Sequence, residues 1–220
     1  MYMQNNAIMP PIVKNLLIIN VLFFCAEMFL PTSVSSWMGN NLALHFWKSS
    51  SFHPYELFTY MFMHGGFAHL FFNMFALWMF GRVLEYDMGS RRFLLFYLVC
   101  GLGAGLIQLL AYQIDYMNFM DSYSALSVNA WAERVSTVGA SGAVFGLLLA
   151  YGMIHPNNII MLVFPPIALK AKWFVVIYGA IELLLGLKGG GGVAHFAHVG
   201  GMLWGWLLLM YWKKRGELYY

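Results

Sequence analysis

Charge is scarce in this chain. Charged side chains make up 10% of its 220 residues, against 61% hydrophobic and 18% aromatic, a balance that excludes an ordinary soluble domain. Only two cysteines occur. Both Cys25 and Cys100 fall inside long apolar runs, which excludes a disulfide framework and leaves them as small packing residues. No HExxH helix is present, so a metal site built from His195, His198 and His69 lacks the carboxylate that metalloproteases add. Repeated halves and paired charges at mid-membrane depth are also missing, and these are the marks of a transporter or channel. Neither an Arg-rich transit segment nor a small-x-small cleavage site accompanies the first apolar run.

What is present is length in apolar runs. Six stretches, 13–30, 57–80, 93–112, 138–154, 167–187 and 193–212, come close to the roughly 20 residues that a helix needs to cross the hydrocarbon core. They predict an all-α, polytopic bundle of six transmembrane helices in a single membrane domain over 1–220, with a short lead at 1–12 and a short tail at 213–220. Basic residues sort by side. Lys14, Arg82, Arg91, Arg92, Lys170, Lys172, Lys213, Lys214 and Arg215 share one side, and Lys48, Arg134 and Lys188 the other. That asymmetry predicts both termini in the cytoplasm, and with no transit segment a bacterial or archaeal plasma membrane is the expected home of this multi-pass protein. The net charge of +3 follows from topology and calls for no nucleic-acid partner.

Chemistry concentrates in three places. The first is Gly139-Ala140-Ser141-Gly142-Ala143-Val144-Phe145-Gly146, a hydroxyl flanked by small residues at the head of an apolar run, which reads as an exposed nucleophile. The second is His64-Gly65-Gly66, whose glycines mark the entry into the second helix, followed by His69 and Asn73, four residues apart and so on one helix face. An interhelical hydrogen-bonded pair is the structural alternative for them. The third is Ala194-His195-Phe196-Ala197-His198-Val199-Gly200-Gly201 with Gly205, whose small residues recur at three and four and invite close approach of another helix. Through the small face of Gly142, Ala143 and Gly146, His198 reaches Ser141. The pair forms a Ser-His dyad, since sequence spacing puts no carboxylate beside it. His69, Asn73 and the Ser141 N–H are the available oxyanion donors. Glu182 and Glu27 read as polar anchors of their helices, Gly101 and Gly105 as packing residues, and His45, His53 and His155 as solvated loop residues. The glycine run after Lys188 reads as a mobile outer cap. Residues 113–137 form a long outer loop with a short helix around 125–135.

These motifs, in this order, resemble the rhomboid family of intramembrane serine proteases. The resemblance implies a six-helix bundle that cleaves transmembrane proteins near their outer boundary without metal or cofactor, working within the lipid bilayer. It implies Ser141 as nucleophile, His198 as general base, His69 and Asn73 as oxyanion donors, and His64, Gly139, Gly142, Phe145, Gly201 and Gly205 in support, with Phe145 packed on His198. A catalytically silent relative that binds and escorts transmembrane segments is the alternative function. Tyr55-Glu56 stands where many members carry Trp-Arg, and 113–137 exceeds the compact bacterial members; both departures bear on substrate access. Oligomeric state is left open.

Overall fold

The computed structural model describes residues 9–161, 166–188 and 194–218. Ten helices in order are α1 (Pro11–Phe29), α2 (Thr32–Leu42), α3 (Glu56–Thr59), α4 (Phe67–Ala76), α5 (Arg82–Met88), α6 (Ser90–Ser122), α7 (Ala125–Ala132), α8 (Ser141–Ile154), α9 (Ala171–Lys188) and α10 (His195–Lys214). A π-helical turn, Leu77–Gly81, joins α4 to α5 without a break. Among the described residues there are also two small antiparallel ribbons: β1 (Leu44–His45) with β2 (Ser136–Thr137), and β3 (Ile159–Met161) with β4 (Ala168–Lys170).

The protein is a helical membrane bundle of six main helices: α1, α4 with α5, α6, α8, α9 and α10. By length and composition three helical runs can cross a membrane, Pro11–Phe29, Phe67–Met88 and Ser90–Ser122. The other three helices are shorter or more polar, and they are the ones that carry Ser141, Glu182 and the α10 histidines. Exposed apolar side chains such as Phe71, Phe72, Leu106, Trp173, Leu184 and Leu203 face outward, as lipid contact requires.

Three boundaries differ from expectation. The run 57–80 is helical as a long element only from Phe67; before it come α3 and a 3₁₀ turn, Tyr60–Phe62. That segment is apolar because it is buried. Met61 fills the gap at Gly101, Tyr60 and Leu57 lie over Gly105, and the Tyr60 hydroxyl donates to the Gly101 carbonyl at 2.7 Å. The packing role expected of Gly101 and Gly105 is therefore met by side chains of this same chain. Helix α6 runs on to Ser122, ten residues past the expected end, because Asp115 and Asp121 are exposed on its surface and do not interrupt it. The outer segment 32–42 is helical, and α7 occupies the place expected for the short helix. The glycine run at 189–192 lies outside the described residues.

Polar contacts define the two ends of the bundle. At one, Glu85 accepts from the Ile12 and Val13 N–H groups at 3.0 and 2.8 Å, and Asp87 pairs with His155 at 2.7 Å. His155, expected to be solvated, is thus tied to α5. At the other, Glu133 accepts from the Ser49 and Ser50 hydroxyls, both at 2.9 Å, and from the Ser50 N–H. These neighbours hold the Glu133 carboxyl below the usual carboxylate range, the Ser49 hydroxyl most of all. His45, also expected in solvent, is buried beside Glu56 because the β1–β2 pairing folds it under the loop.

Candidate active site

Three helices set the site, and their glycines determine how closely they meet. A Cβ built on Gly201 would stand 1.8 Å from the Gly142 carbonyl oxygen, so α8 and α10 touch backbone to backbone. Gly142 in turn abuts Ala104 of α6, Gly146 abuts Cys100, and a Cβ on Gly205 would meet Phe96 at 3.0 Å and Cys100 at 3.2 Å. Each residue one turn or less before these contacts is thereby aimed: Ser141 lies just before Gly142, and His198 three before Gly201.

The consequence is a hydrogen bond. Ser141 Oγ and His198 Nε2 are 2.8 Å apart. The far side of the same ring decides its tautomer. His198 Nδ1 lies 2.8 Å from Glu182 Oε2, and a carboxylate oxygen only accepts, so Nδ1 carries the proton and Nε2 accepts from the serine hydroxyl. Phe145 stacks on the imidazole with ring centroids 4.1 Å apart and 7° between planes. The Ala197 N–H donates to Gln108 Oε1 at 3.2 Å, fixing the first turn of α10 to α6.

Glu182 is the correction here. It was expected to anchor its helix with no base beside it; instead α9 delivers it to two histidines, His198 and, at 2.6 Å, His195 Nδ1. It is 7% exposed. Spacing alone cannot show this, because Glu182 and His198 belong to different helices. The available signal was the acid itself in an apolar helix, together with His195 and His198 at i and i+3 on one face. Glu182, His195 and His198 put ligand atoms within 4.8 Å of one another. Ligands on one tetrahedral metal stand roughly 3.3 Å apart when the bonds are about 2.0–2.1 Å, so separations of 2.6 and 2.8 Å are those of shared protons. His69 is not one of the trio.

On the other side of the serine lies the donor set. Gly139 has φ +131°, a conformation that L side chains rarely adopt, and a Cβ there would strike His69 Cε1 and Nε2 at 2.8 Å. Its N–H is held by the Tyr60 carbonyl at 2.9 Å. This turn brings the His69 ring against the Ser141 loop. The Gly65 N–H donates to His69 Nδ1 at 3.3 Å, which leaves the proton on Nε2, the atom facing Gly139. Asn73 is buried, and its Nδ2 donates to the His69 carbonyl at 2.9 Å, so one of its two N–H bonds is engaged along its own helix. His64 is buried with its ring edge-on to His69 at 5.2 Å. As the first residues of α8, Ser141 and Gly142 have N–H groups with no acceptor within the helix.

A cavity of about 1020 Å³ opens over Ser141, His69, Asn73 and His198 and continues past Phe75, Met79, Ile160 and Ile177. It joins the polar site to apolar walls of α4 and α9.

A family model described as the Rhomboid domain matches residues 51–215. The chain is 33% identical over 154 residues to "RHOMBOID-like protein 6, mitochondrial" of Arabidopsis thaliana, covering 70% of this chain and 42% of that protein. It is 34% identical over 154 residues to "RHOMBOID-like protein 2" of the same plant, covering 70% and 41%. The "Putative rhomboid protease YdcA" of Bacillus subtilis (strain 168) is 32% identical over 97 residues, which cover 44% of this chain and 39% of that protein. The matched region spans less than half the length of each of these relatives.

Proposed function

Because this chain belongs to the rhomboid family, we propose that it is an intramembrane serine endopeptidase that hydrolyses transmembrane protein substrates near the outer membrane boundary. The observation that carries the reading is the 2.8 Å contact of Ser141 Oγ with His198 Nε2, inside a bundle whose outer surface is apolar. In the reaction, Ser141 Oγ attacks the scissile carbonyl carbon while His198 Nε2 takes the hydroxyl proton. The oxyanion of the tetrahedral intermediate sits against the free N–H groups at the start of α8 and His69 Nε2–H, with the second N–H of Asn73 as a further donor. Collapse expels the amine, which receives the proton from His198. Water, deprotonated by the same nitrogen, then releases the acyl group and restores Ser141.

Depth follows from helix length. At 14 residues, α8 is about 21 Å long at 1.5 Å per residue, against a hydrocarbon core of about 30 Å. A helix that reaches the inner boundary therefore starts, with Ser141, several ångströms beneath the outer one. The cavity between α4 and α9 suits an unwound apolar segment with its carbonyl at the serine. Nine basic residues on the side of Glu85 and Asp87 support an orientation with both chain ends in the cytoplasm.

The test is labelling of the purified full chain with a fluorescent fluorophosphonate, beside cleavage of a single-span reporter in proteoliposomes. Both signals present in wild type and lost in Ser141→Ala and His198→Ala support the enzyme. A folded wild type that neither labels nor cleaves, yet co-purifies with the reporter, would replace it with the escort reading.

A further inference from the structure

We infer that Glu182 completes a Ser141–His198–Glu182 triad, acting as a positioning residue that sets the His198 tautomer and supports its imidazolium. The inference rests on the protease reading above and adds a third member to its dyad. Glu182 Oε2 accepts from His198 Nδ1 at 2.8 Å while His198 Nε2 faces Ser141 Oγ at 2.8 Å, so carboxylate, ring and hydroxyl lie in one relay of hydrogen bonds. A neutral imidazole has a single N–H, and with that N–H committed to Glu182 the lone pair is left where the serine proton must go. Once His198 takes the proton, its positive charge stands a hydrogen bond away from a carboxylate that water barely reaches. The carboxylate does not itself take the proton; it lowers the energy of the ion pair that forms during attack.

The second donor explains the carboxylate's own orientation. His195 Nδ1 meets the same Oε2 at 2.6 Å, and two donors converging on one oxygen fix the side chain about its last torsion. The groups that bear on His198 are Glu182 from α9, with Tyr178 close enough to Glu182 to sense its charge, His69 from α4, Ser141 from α8, and His195 from its own helix. Glu182 is the one acid among them, so the acidic limb of the pH profile reports its presence.

The experiment compares wild type, Glu182→Gln and Ser141→Ala as full chains in proteoliposomes, with a single-span reporter at varied concentration and pH. A Gln oxygen still accepts from both Nδ1–H groups, so folding and tautomer survive and only the charge is lost. The expected result is an unchanged KM, a kcat lower by about ten- to hundredfold, and an acidic limb of kcat/KM moved to lower pH, because the imidazolium has lost its support. A Glu182→Gln kcat within twofold of wild type with an unmoved limb overturns the triad and leaves Glu182 a helix anchor. Cleavage that persists in Ser141→Ala instead overturns the protease reading itself. A measurement that needs no Glu182 variant is ¹⁵N NMR of histidine-labelled Ser141→Ala protein: a His198 Nδ1–H tautomer with a strongly downfield proton supports the inference, and an Nε2–H tautomer refutes it.

Discussion

Two buried carboxylates in this molecule are each met by two histidines, and only one of the clusters faces a hydroxyl. At Glu182 both rings point Nδ1 at the same oxygen, and the other nitrogen of His198 faces Ser141. Glu56 is fully buried and lies 3.3 Å from His45 Nδ1 and 3.6 Å from His53 Nδ1. Its hydrogen bond, however, comes from the His45 backbone N–H at 2.9 Å, and His53 Nδ1 turns to the Ser51 carbonyl at 2.8 Å. The same residue types therefore make a peg for a loop in one place and a hydrogen-bonded chain that ends on a hydroxyl in the other. A carboxylate beside an imidazole is not catalytic by composition; what decides is the atom across the ring.

That contrast is broken hardest at the hydroxyl. Ser141→Ala and His198→Ala are each expected to lower reporter cleavage by at least about a thousandfold, since members of such a unit fail together. Gly201→Ala attacks the same site without touching its chemistry. Its methyl has nowhere to go against the Gly142 carbonyl, so α8 and α10 part; a displacement near 1 Å costs about a hundredfold in rate, and thermal unfolding should show a loss of about 1–3 kcal/mol. Asn73→Ala removes one donor that is already half engaged with His69. A kcat decrease of about tenfold is expected, below the 100- to 1000-fold of a fully committed oxyanion donor, and full activity on several substrates would remove Asn73 from the donor set.

Glu56→Leu sharpens the comparison from the other side. It strands the His45 N–H in the interior at about 1–3 kcal/mol, read as a lower melting temperature, while the fluorophosphonate labelling rate of Ser141 stays within about threefold of wild type. The smallest effect is at Glu133, the exposed clip of the first outer loop. Its carboxyl is depressed in the folded chain, so the stabilisation it gives is complete above the unfolded carboxylate range and fades only as pH falls through the lower folded value. The protection of the Ser50 amide against hydrogen exchange, taken relative to the intrinsic rate at each pH, should thus be flat near neutrality and fall in acid, and Glu133→Gln should abolish that fall.

Much of this was legible in order along the chain. Apolar run length marks the six main helices, and small residues at three and four in 194–205 mark a close helix contact that the structure has at Gly201. The dyad's geometry follows from those glycines. What spacing could not reveal was rotation between helices: whether Glu182 faces lipid or His198 depends on how α9 turns relative to α10, and no local pattern encodes it. His45 escaped for a similar reason, since its burial depends on pairing with Ser136, 91 positions away. Gly65-Gly66 marks the entry into the helix that starts at Phe67, and the apolar run overshoots it to 57 because residues buried under α6 and residues facing lipid are equally apolar.

The contact between Gly201 and Gly142 has a mechanical consequence. Side chains are the compliant layer of a protein; they change rotamer in picoseconds to nanoseconds and absorb small displacements between the helices they separate. Where backbone rests on backbone, that cushion is gone, and α8 and α10 behave as the two arms of a rigid calliper whose gap is set by bond lengths and helix radius. Motion that admits a substrate then has to come from elements outside the calliper, and the spacing of hydroxyl and ring is carried unchanged through it.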